Sequence, residues 1–523
     1  MRPSGTAWWR HTAGWRLAGA SLALKLTLFL LTPYAMQPDS AGHLLNAAAL
    51  RDGRWGDIHL SFPLGYSALV AGVAGWVGDP ELAGNAVSLV LSALLAVPVY
   101  GLGVAILGAR AASLGTALVV CFPLLNVYAP MVLSDSAYLT VLAAAVATGW
   151  AALASGTTAV GAAAGIMFGA AYLVREEGIG YGAAFALLWA ARQWRAADRL
   201  GGVLRTLAYL GGWAALVLPY VWFLHWRTGG AWVLTSQMGN VAVDVAAGQA
   251  LTDLRAAPGF AYAFLLQHSE AFLMKYLGNW EQMLASAIPQ LVPVPLLGLA
   301  AIGVAGRAGG ERLTGRLYLL AMLLPPMFLI PVSHIIARYF LCLVPWLLLF
   351  AADGVLICQE RLTGAAARSW ARGAAAALAA AVVVPVLAGL VLIPLRPRLG
   401  LLPLYEIEYK RAGQWMQVHL PASARVLTSV GGIDYYAQRP RVLVRPPGSR
   451  TVHDTLSLDD ILTLAADGEA PCYLVVQERW PQKTLLPLLD ETHAPEALRP
   501  VYVDTTYLGA KVVVYEVRGR RPG

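Results

Sequence analysis

Charge is scarce in this sequence. Only 13% of its 523 residues are Asp, Glu, Lys or Arg, 58% are hydrophobic, and the mean hydropathy is +0.59. A soluble chain of this length would divide into several domains, each needing a charged surface that this composition does not supply. Lysine is nearly missing: Lys25, Lys275, Lys410, Lys483 and Lys511 are all there are, so arginine carries almost all of the net charge of +8. Many of the arginines sit in short loops between apolar blocks rather than on one face, which argues against nucleic acid as a partner. The four cysteines, Cys121, Cys342, Cys358 and Cys472, show no spacing of a metal site or a disulfide framework and read as packing residues. Internal repeats and low-complexity linkers are absent.

What the sequence does have is long apolar blocks, such as Ala86 to Leu107 and Gly373 to Leu395. Each exceeds the ~20 residues that cross a bilayer core as helix. The first block, Trp15 to Tyr34, follows Arg2, Arg10 and Arg16 and has no A-x-A-like cleavage site behind it, so it is expected to stay as an anchor. The arginine, alanine, glycine and leucine bias looks like that of a GC-rich bacterial genome.

The leading arginines place the N-terminus in the cytoplasm by the positive-inside rule. The loops around Arg110, Arg192–Arg195–Arg199–Arg205, Arg307–Arg312–Arg316 and Arg361–Arg368–Arg372 should then lie inside as well. The regions around Asp39–Asp57, Ser134–Asp135, Arg175–Glu177, 226–286 and Ser333–Arg338 should lie outside. Arg51 and Arg54 run against the rule, with Asp52 and Asp57 to offset them. Parity holds only if Phe62 to Val77, short and interrupted by Pro63, lies in the interface instead of crossing. About eleven spans result, with the tail outside.

That tail changes character. After Pro-rich 394–403 come helix-like Tyr405–Val418, strand-like Ala424–Ser429, helical Ser457–Ala466, and strand-like Cys472–Gln477 and Ala510–Val517. These suggest a small α/β domain of roughly 130 residues. The expected fold is a polytopic α-helical membrane domain (1–395, with a first outer loop at 35–82 and a long one at 226–286) and an extracytoplasmic α/β domain (396–523).

An ionisable residue in or against a membrane is expensive, so each is a functional candidate by default. Asp39 follows the first span in "MQPDSAGHLLNAAALRDGRW", where His43, Leu44, Ala47 and Leu50 recur at helical spacing. Asp39 occupies the expected N-cap, and capping alone would account for it. Its neighbourhood adds a second reading. A first span, an acidic residue, the helix "SAGHLLNAAAL", a "GRW" turn and "SFPLGYSALVAGVAGWVG" resemble the GT-C glycosyltransferases of the protein O-mannosyltransferase and aminoarabinose lipid A transferase type (glycosyltransferase family 39-like). "VYGLGVAILGARAASLGTALVVCFPLLNVYAPMVLSDSAYL", "YLVREEGIGYGAAFALLWA" and "ARYFLCLVPWLLLFAADGV" continue the resemblance in order over nearly the whole chain.

The resemblance implies membrane helices beneath an outer cavity and transfer of a sugar from a polyprenyl phosphate or diphosphate to an acceptor hydroxyl or amine. Asp39 would be the general base, giving inversion; such a base contributes ~10²–10⁴ in rate. Many relatives carry two adjacent acidic residues where this chain has Asp39–Ser40, which leaves a divalent metal open as a cofactor; none is assigned. The expected partners are the lipid-linked donor, a glycan, lipid or protein acceptor, and membrane lipid. The expected location is a bacterial plasma (inner) membrane.

The donor phosphate needs positive charge. Arg338 in "SHIIARYF" is the first choice, since guanidinium grips phosphate bidentately; a snorkelling interface anchor is the plainer account. Arg175 in "VREEG" is the second choice, or else a structural partner of Glu176 and Glu177. Lys275 in "FLMKYLGNWEQM" could reach the phosphate, or decorate a solvated helix. Asp135 and Glu176 are possible substrate or metal contacts, with capping of a span the duller role for Asp135. His43, one turn from Asp39, could bond it or substrate, or simply line the interface. Lys25, inside the first span, reads as a snorkelling residue. Asp434, Tyr435 and Tyr436 in "GGIDYYAQRP" bind acceptor or, more simply, pack a small domain. Two rivals from other classes are a secondary transporter or lipid flippase, disfavoured by the lack of repeat symmetry, and a noncatalytic membrane scaffold.

Overall fold

Inside a bilayer every backbone N–H and C=O must be satisfied within the protein, so long apolar runs fold as helices. A computed structural model shows this chain helical over most of its first 395 residues. It describes residues 8–195, 197–235, 241–242, 245, 258–306, 311–333, 335–364, 369–395, 407–429, 431–444, 455–466, 470–478, 484–505 and 511–518. Arg307, Arg368 and part of the 226–286 loop lie outside the described residues. The principal helices are α1 (Thr12–Leu31), α2 (Pro38–Arg51), α3 (Leu64–Val77), α4 (Pro80–Leu94), α5 (Ala96–Ile106), α6 (Ala109–Cys121), α7 (Ser134–Ser155), α8 (Thr158–Val174), α9 (Gly178–Trp194), α10 (Arg199–Arg227), α11 (Ser269–Gln282), α12 (Val294–Ala305), α13 (Glu311–Leu329), α14 (Val344–Gly364) and α15 (Ser369–Leu395).

Among the described residues six helices are long and apolar enough to cross a membrane, or seven if Ser269–Leu291 and Val294–Ala305, bent by 101°, form one span. The chain is a polytopic helical membrane protein. The sequence-based count of about eleven exceeds these because several apolar blocks are shorter as helices; α6, for example, stops just before Pro123. A proline at that point removes a backbone donor and sterically opposes continuation of the preceding turn. The 14-residue α3 rises only about 21 Å, short of the ~30 Å hydrocarbon core.

The chain falls into two compact units. The first comprises Met1–Leu28, Asn46–Val245 and Asp253–Val391; the second comprises Phe29–Leu45, Ala246–Thr252 and Leu392–Gly523.

In the first unit, small residues let helix backbones touch, as lipid-embedded packing favours. A Cβ at Gly303 of α12 would run into Phe350 of α14, and one at Gly354 of α14 into Leu299 of α12. Polar side chains add specific ties. Lys25 is 3% exposed and does not snorkel: its Nζ donates to Ser21 Oγ at 2.9 Å and Asn126 Oδ1 at 3.3 Å. Asn126 in turn donates to the carbonyls of Val120 and Phe122, at the break after α6. The lysine therefore answers a helix break with a hydrogen bond, which sequence periodicity alone could not reveal. Arg316 of α13 pairs with Asp353 of α14 at 2.5 Å and donates to the Gly306 carbonyl. Arg51 and Arg54 are locally offset, with Arg54 contacting Asp57 at 2.5 Å and Asp52 at 3.1 Å.

The second unit contains helices α16 (Ile407–His419), α17 (Ile433–Ala437) and α18 (Leu458–Ala466) and strands β1 (Arg425–Thr428), β2 (Arg441–Leu443), β3 (Cys472–Gln477), β4 (Leu498–Asp504) and β5 (Val512–Val517). The sheet order is β2-β1-β3-β5-β4, parallel across β2, β1 and β3 and antiparallel from β3 through β5 to β4. Side chains alternate faces along β3. Tyr473 and Val475 meet Tyr409, Ala412 and Met416 of α16, while Leu474 and Val476 share the other core with Ile461 of α18. The edge strands β2 and β4 escape sequence reading: β2 is only three residues long, and β4 carries Pro500 and a register shift beside it.

Candidate functional site

In the first unit one charged cluster lies where α7 begins and where α8 turns into α9. Asp135 lies in the first turn of α7 and is 4% exposed. Forty residues on, the α8–α9 turn carries Arg175, whose guanidinium donates to Asp135 at 2.8 Å and to Glu177 at 2.9 and 3.3 Å. Arginine suits this arrangement because its planar fork satisfies two carboxylates at once. Burial works against the Arg175 charge, but Glu177 and Asp135 more than offset it and hold the guanidinium pKa well above its ordinary value. Burial likewise opposes ionisation of Glu177, yet the Arg175 charge and hydrogen bond keep its carboxyl below its ordinary value.

Two arginines chosen from the sequence meet on one ring. Arg175 lies 4.9 Å from the Tyr339 ring centroid and Arg338 lies 5.4 Å from it. Arg175 also lies 5.7 Å from the ring of Tyr138. Such contacts over an aromatic face favour a cation where water is scarce. Glu176 turns elsewhere, accepting the Thr235 hydroxyl. It is Glu177, together with Asp135, that neutralises Arg175. Lys275 of α11 donates to the carbonyls of Val332 and Ser333, and Asn279 one turn later bonds Pro331 and Ser333 at 2.8 and 2.9 Å. Lys275 thus fastens α11 to the segment leading to Arg338.

The second unit holds the Asp39 segment. Helix α2 starts at Pro38, so Asp39 sits within the first turn and not at the N-cap as the sequence suggests. Proline explains the earlier start: it is well placed at a first helical position, where its missing N–H is not needed. Ser40 takes over the capping work, its Oγ accepting the Gln37 N–H at 3.1 Å while its own N–H reaches the Gln37 carbonyl at 2.9 Å. The Asp39 carboxyl is half-buried, and His43, one turn on, is 2% exposed. Just before the helix, the Met36 N–H donates to the Tyr436 hydroxyl at 2.9 Å. Of the three residues Asp434, Tyr435 and Tyr436, the last therefore steadies the segment that leads into Asp39. Asp434 accepts the Gly432 N–H and lies 3.8 Å from Arg441. The role of Tyr436 has no local signal, because its partner stands 400 residues away.

Among the described residues no three His, Cys, Asp or Glu side chains come together so that they could hold a metal ion. The described residues therefore bring together no ligand set of the kind a resident divalent ion takes, which needs several oxygen or nitrogen ligands at once.

A partly buried acid–arginine cluster on helix ends, in a polytopic helical chain, defines a membrane protein with a charged cluster at a span end. No protein-family model matches the sequence, and no curated protein matches it. Solved structures do. ArnT from Cupriavidus metallidurans bound to undecaprenyl phosphate aligns with 96% of this chain and 98% of its own, at 15% identity and a TM-score of 0.52. The Archaeoglobus fulgidus oligosaccharyltransferase in its apo form aligns with 98% of this chain and 75% of its own, at 12% identity and a TM-score of 0.59. Its complex with an inhibitory peptide and a dolichol-phosphate covers 99% and 75%, at 12% identity and a TM-score of 0.55. The chain has the fold of these GT-C enzymes over nearly its whole length.

Proposed function

We propose that this protein is a membrane glycosyltransferase that moves a sugar from a polyprenyl-phosphate donor to an acceptor at the outer face of the membrane. The observation that carries this reading is the near end-to-end likeness to ArnT bound to undecaprenyl phosphate. The Asp39 carboxylate takes the proton of the acceptor hydroxyl or amine as that atom bonds to the anomeric carbon. The bond from that carbon to the lipid phosphate breaks on the opposite side, so the configuration inverts and polyprenyl phosphate leaves with the electron pair. The leaving group gains charge during the step, and a fixed cation there lowers the barrier. Arg338 is assigned that role. Arg175 is assigned to holding Asp135 and Tyr339 in place, and Lys275 to securing the Arg338 segment. His43 supports the Asp39 helix, Glu176 contacts the loop through Thr235, and Tyr436 is a positioning residue. The domain reading stays at 1–395 and 396–523, with about eleven spans, the N-terminus in the cytoplasm of a bacterial inner membrane and the tail outside.

The test is release of polyprenyl phosphate from a panel of polyprenyl-phosphate sugars, with membrane-extract acceptors and purified protein in nanodiscs. Wild type should release the lipid phosphate, and Asp39→Asn should lose roughly 10²–10⁴ of the rate while still binding donor. Normal transfer by Asp39→Asn would remove that residue as the base. Donor binding without release by either form would favour a carrier.

A further inference from the structure

The first unit contains a cavity of about 970 Å³ that the proposed transfer reaction does not use. It opens among the C-terminal ends of α5, α7 and α9 and the N-terminal end of α13, beside Trp8 and His11 before and at the start of α1. These are chain ends that charge parity assigns to the cytoplasmic side, the side opposite the Asp135–Arg175 cluster. The cavity walls are largely apolar, with Ala and Leu of the bundle the commonest side chains, and its lining includes Arg192, Arg195 and Arg312.

Three helix C-termini present partial negative charge to this space, which would repel an anion if nothing opposed it. Arg192 answers one of them directly, its Nε donating to the Leu153 carbonyl at 2.5 Å near the end of α7. Arg195 and Arg312 do not do this work. Both are exposed, and among the described residues neither has a carboxylate within ion-pair distance. Asp353, which feels the Arg312 charge, is already held by Arg316 at 2.5 Å. Aromatic rings line the same cavity: Trp8, anchored by its Nε1 on Thr148 at 3.2 Å, and Trp150, set 5.5 Å from Tyr318. Tryptophan and arginine together beneath an apolar slot between membrane helices match the layered chemistry of a lipid, with an anionic head above hydrocarbon.

We infer that this cavity binds an anionic phospholipid, its phosphate between Arg192, Arg195 and Arg312 and its chains along the apolar walls of α5 and α7. The site is independent of the transfer reaction. It would tie the bundle to the leaflet on which its arginine-rich loops stand.

The test is native mass spectrometry of the full chain in detergent, titrated with phosphatidylglycerol or phosphatidylcholine, for wild type and for Arg195→Gln combined with Arg312→Gln. Both side chains are exposed, so the pair of changes should leave folding intact. Each basic charge near a lipid surface is worth about fivefold in binding, so the double variant should bind phosphatidylglycerol roughly thirtyfold more weakly. Wild type should retain phosphatidylglycerol in preference to phosphatidylcholine, and millimolar inorganic phosphate should not displace it. Equal retention of the two lipids, or an unchanged double variant, would overturn the proposal. Displacement by inorganic phosphate would instead identify a site for water-soluble anions and would also overturn it.

Discussion

Arg175 and Arg316 are both arginines of the helical bundle, the first partly buried and the second buried, yet they are satisfied in different ways. Arg175 answers two carboxylates, Asp135 and Glu177, and two tyrosine rings. Among the described residues Arg316 has one carboxylate, Asp353, and the Gly306 carbonyl, and its Nε has no hydrogen-bond partner. The first arrangement is redundant and carries net negative charge; the second is a one-to-one pair that balances to zero. Redundancy lets a charged group be lost without stranding its counterion, whereas a single pair has no reserve. The redundant cluster is also the one that contains residues proposed to serve the reaction.

The comparison breaks most visibly at Asp353. Asp353→Ala leaves Arg316 buried without a counter-charge and should cost about 3–5 kcal/mol, read as a lowered unfolding temperature in detergent. Asp135→Asn should cost only ~1–2 kcal/mol, because Glu177 still faces Arg175. Equal losses for the two variants would show that the second carboxylate gives no reserve. Adding Glu177→Gln to Asp135→Asn should exceed the sum of the single changes by about 0.5–3 kcal/mol, since only the double variant strands the cation. The smallest effect is in pH. Folding holds the Glu177 carboxyl below its ordinary value of 4.5, so its contribution is fully present above that value and is lost as pH falls through the lowered one. Wild type should therefore lose stability on acidification below about pH 4.5 more steeply than Glu177→Gln.

Much of this architecture is legible from local pattern. The apolar blocks mark the helical bundle, and α16, β1, α18, β3 and β5 fall where the tail alternates helical and strand periodicity. What escapes is whatever depends on distant partners. Asp135 reads as a cap until Arg175 arrives from forty residues away. Lys25 reads as a snorkelling residue until Asn126 meets it across 101 positions. Asp39 stands two helical positions further in than the expected N-cap for a local reason, because proline opens the helix sooner than a capping aspartate would.

The hydrogen bond from Met36 to Tyr436 also sets an order in time. At synthesis rates of about 5–20 residues per second, the 400 residues between donor and acceptor take roughly 20–80 s to emerge. Through that interval the segment leading into Asp39 waits without this partner while the bundle is being threaded into the membrane. A chain interrupted before residue 436 could assemble most of its helices and still lack the contact that steadies its proposed base. Completion of the tail is thus a built-in delay between insertion and competence.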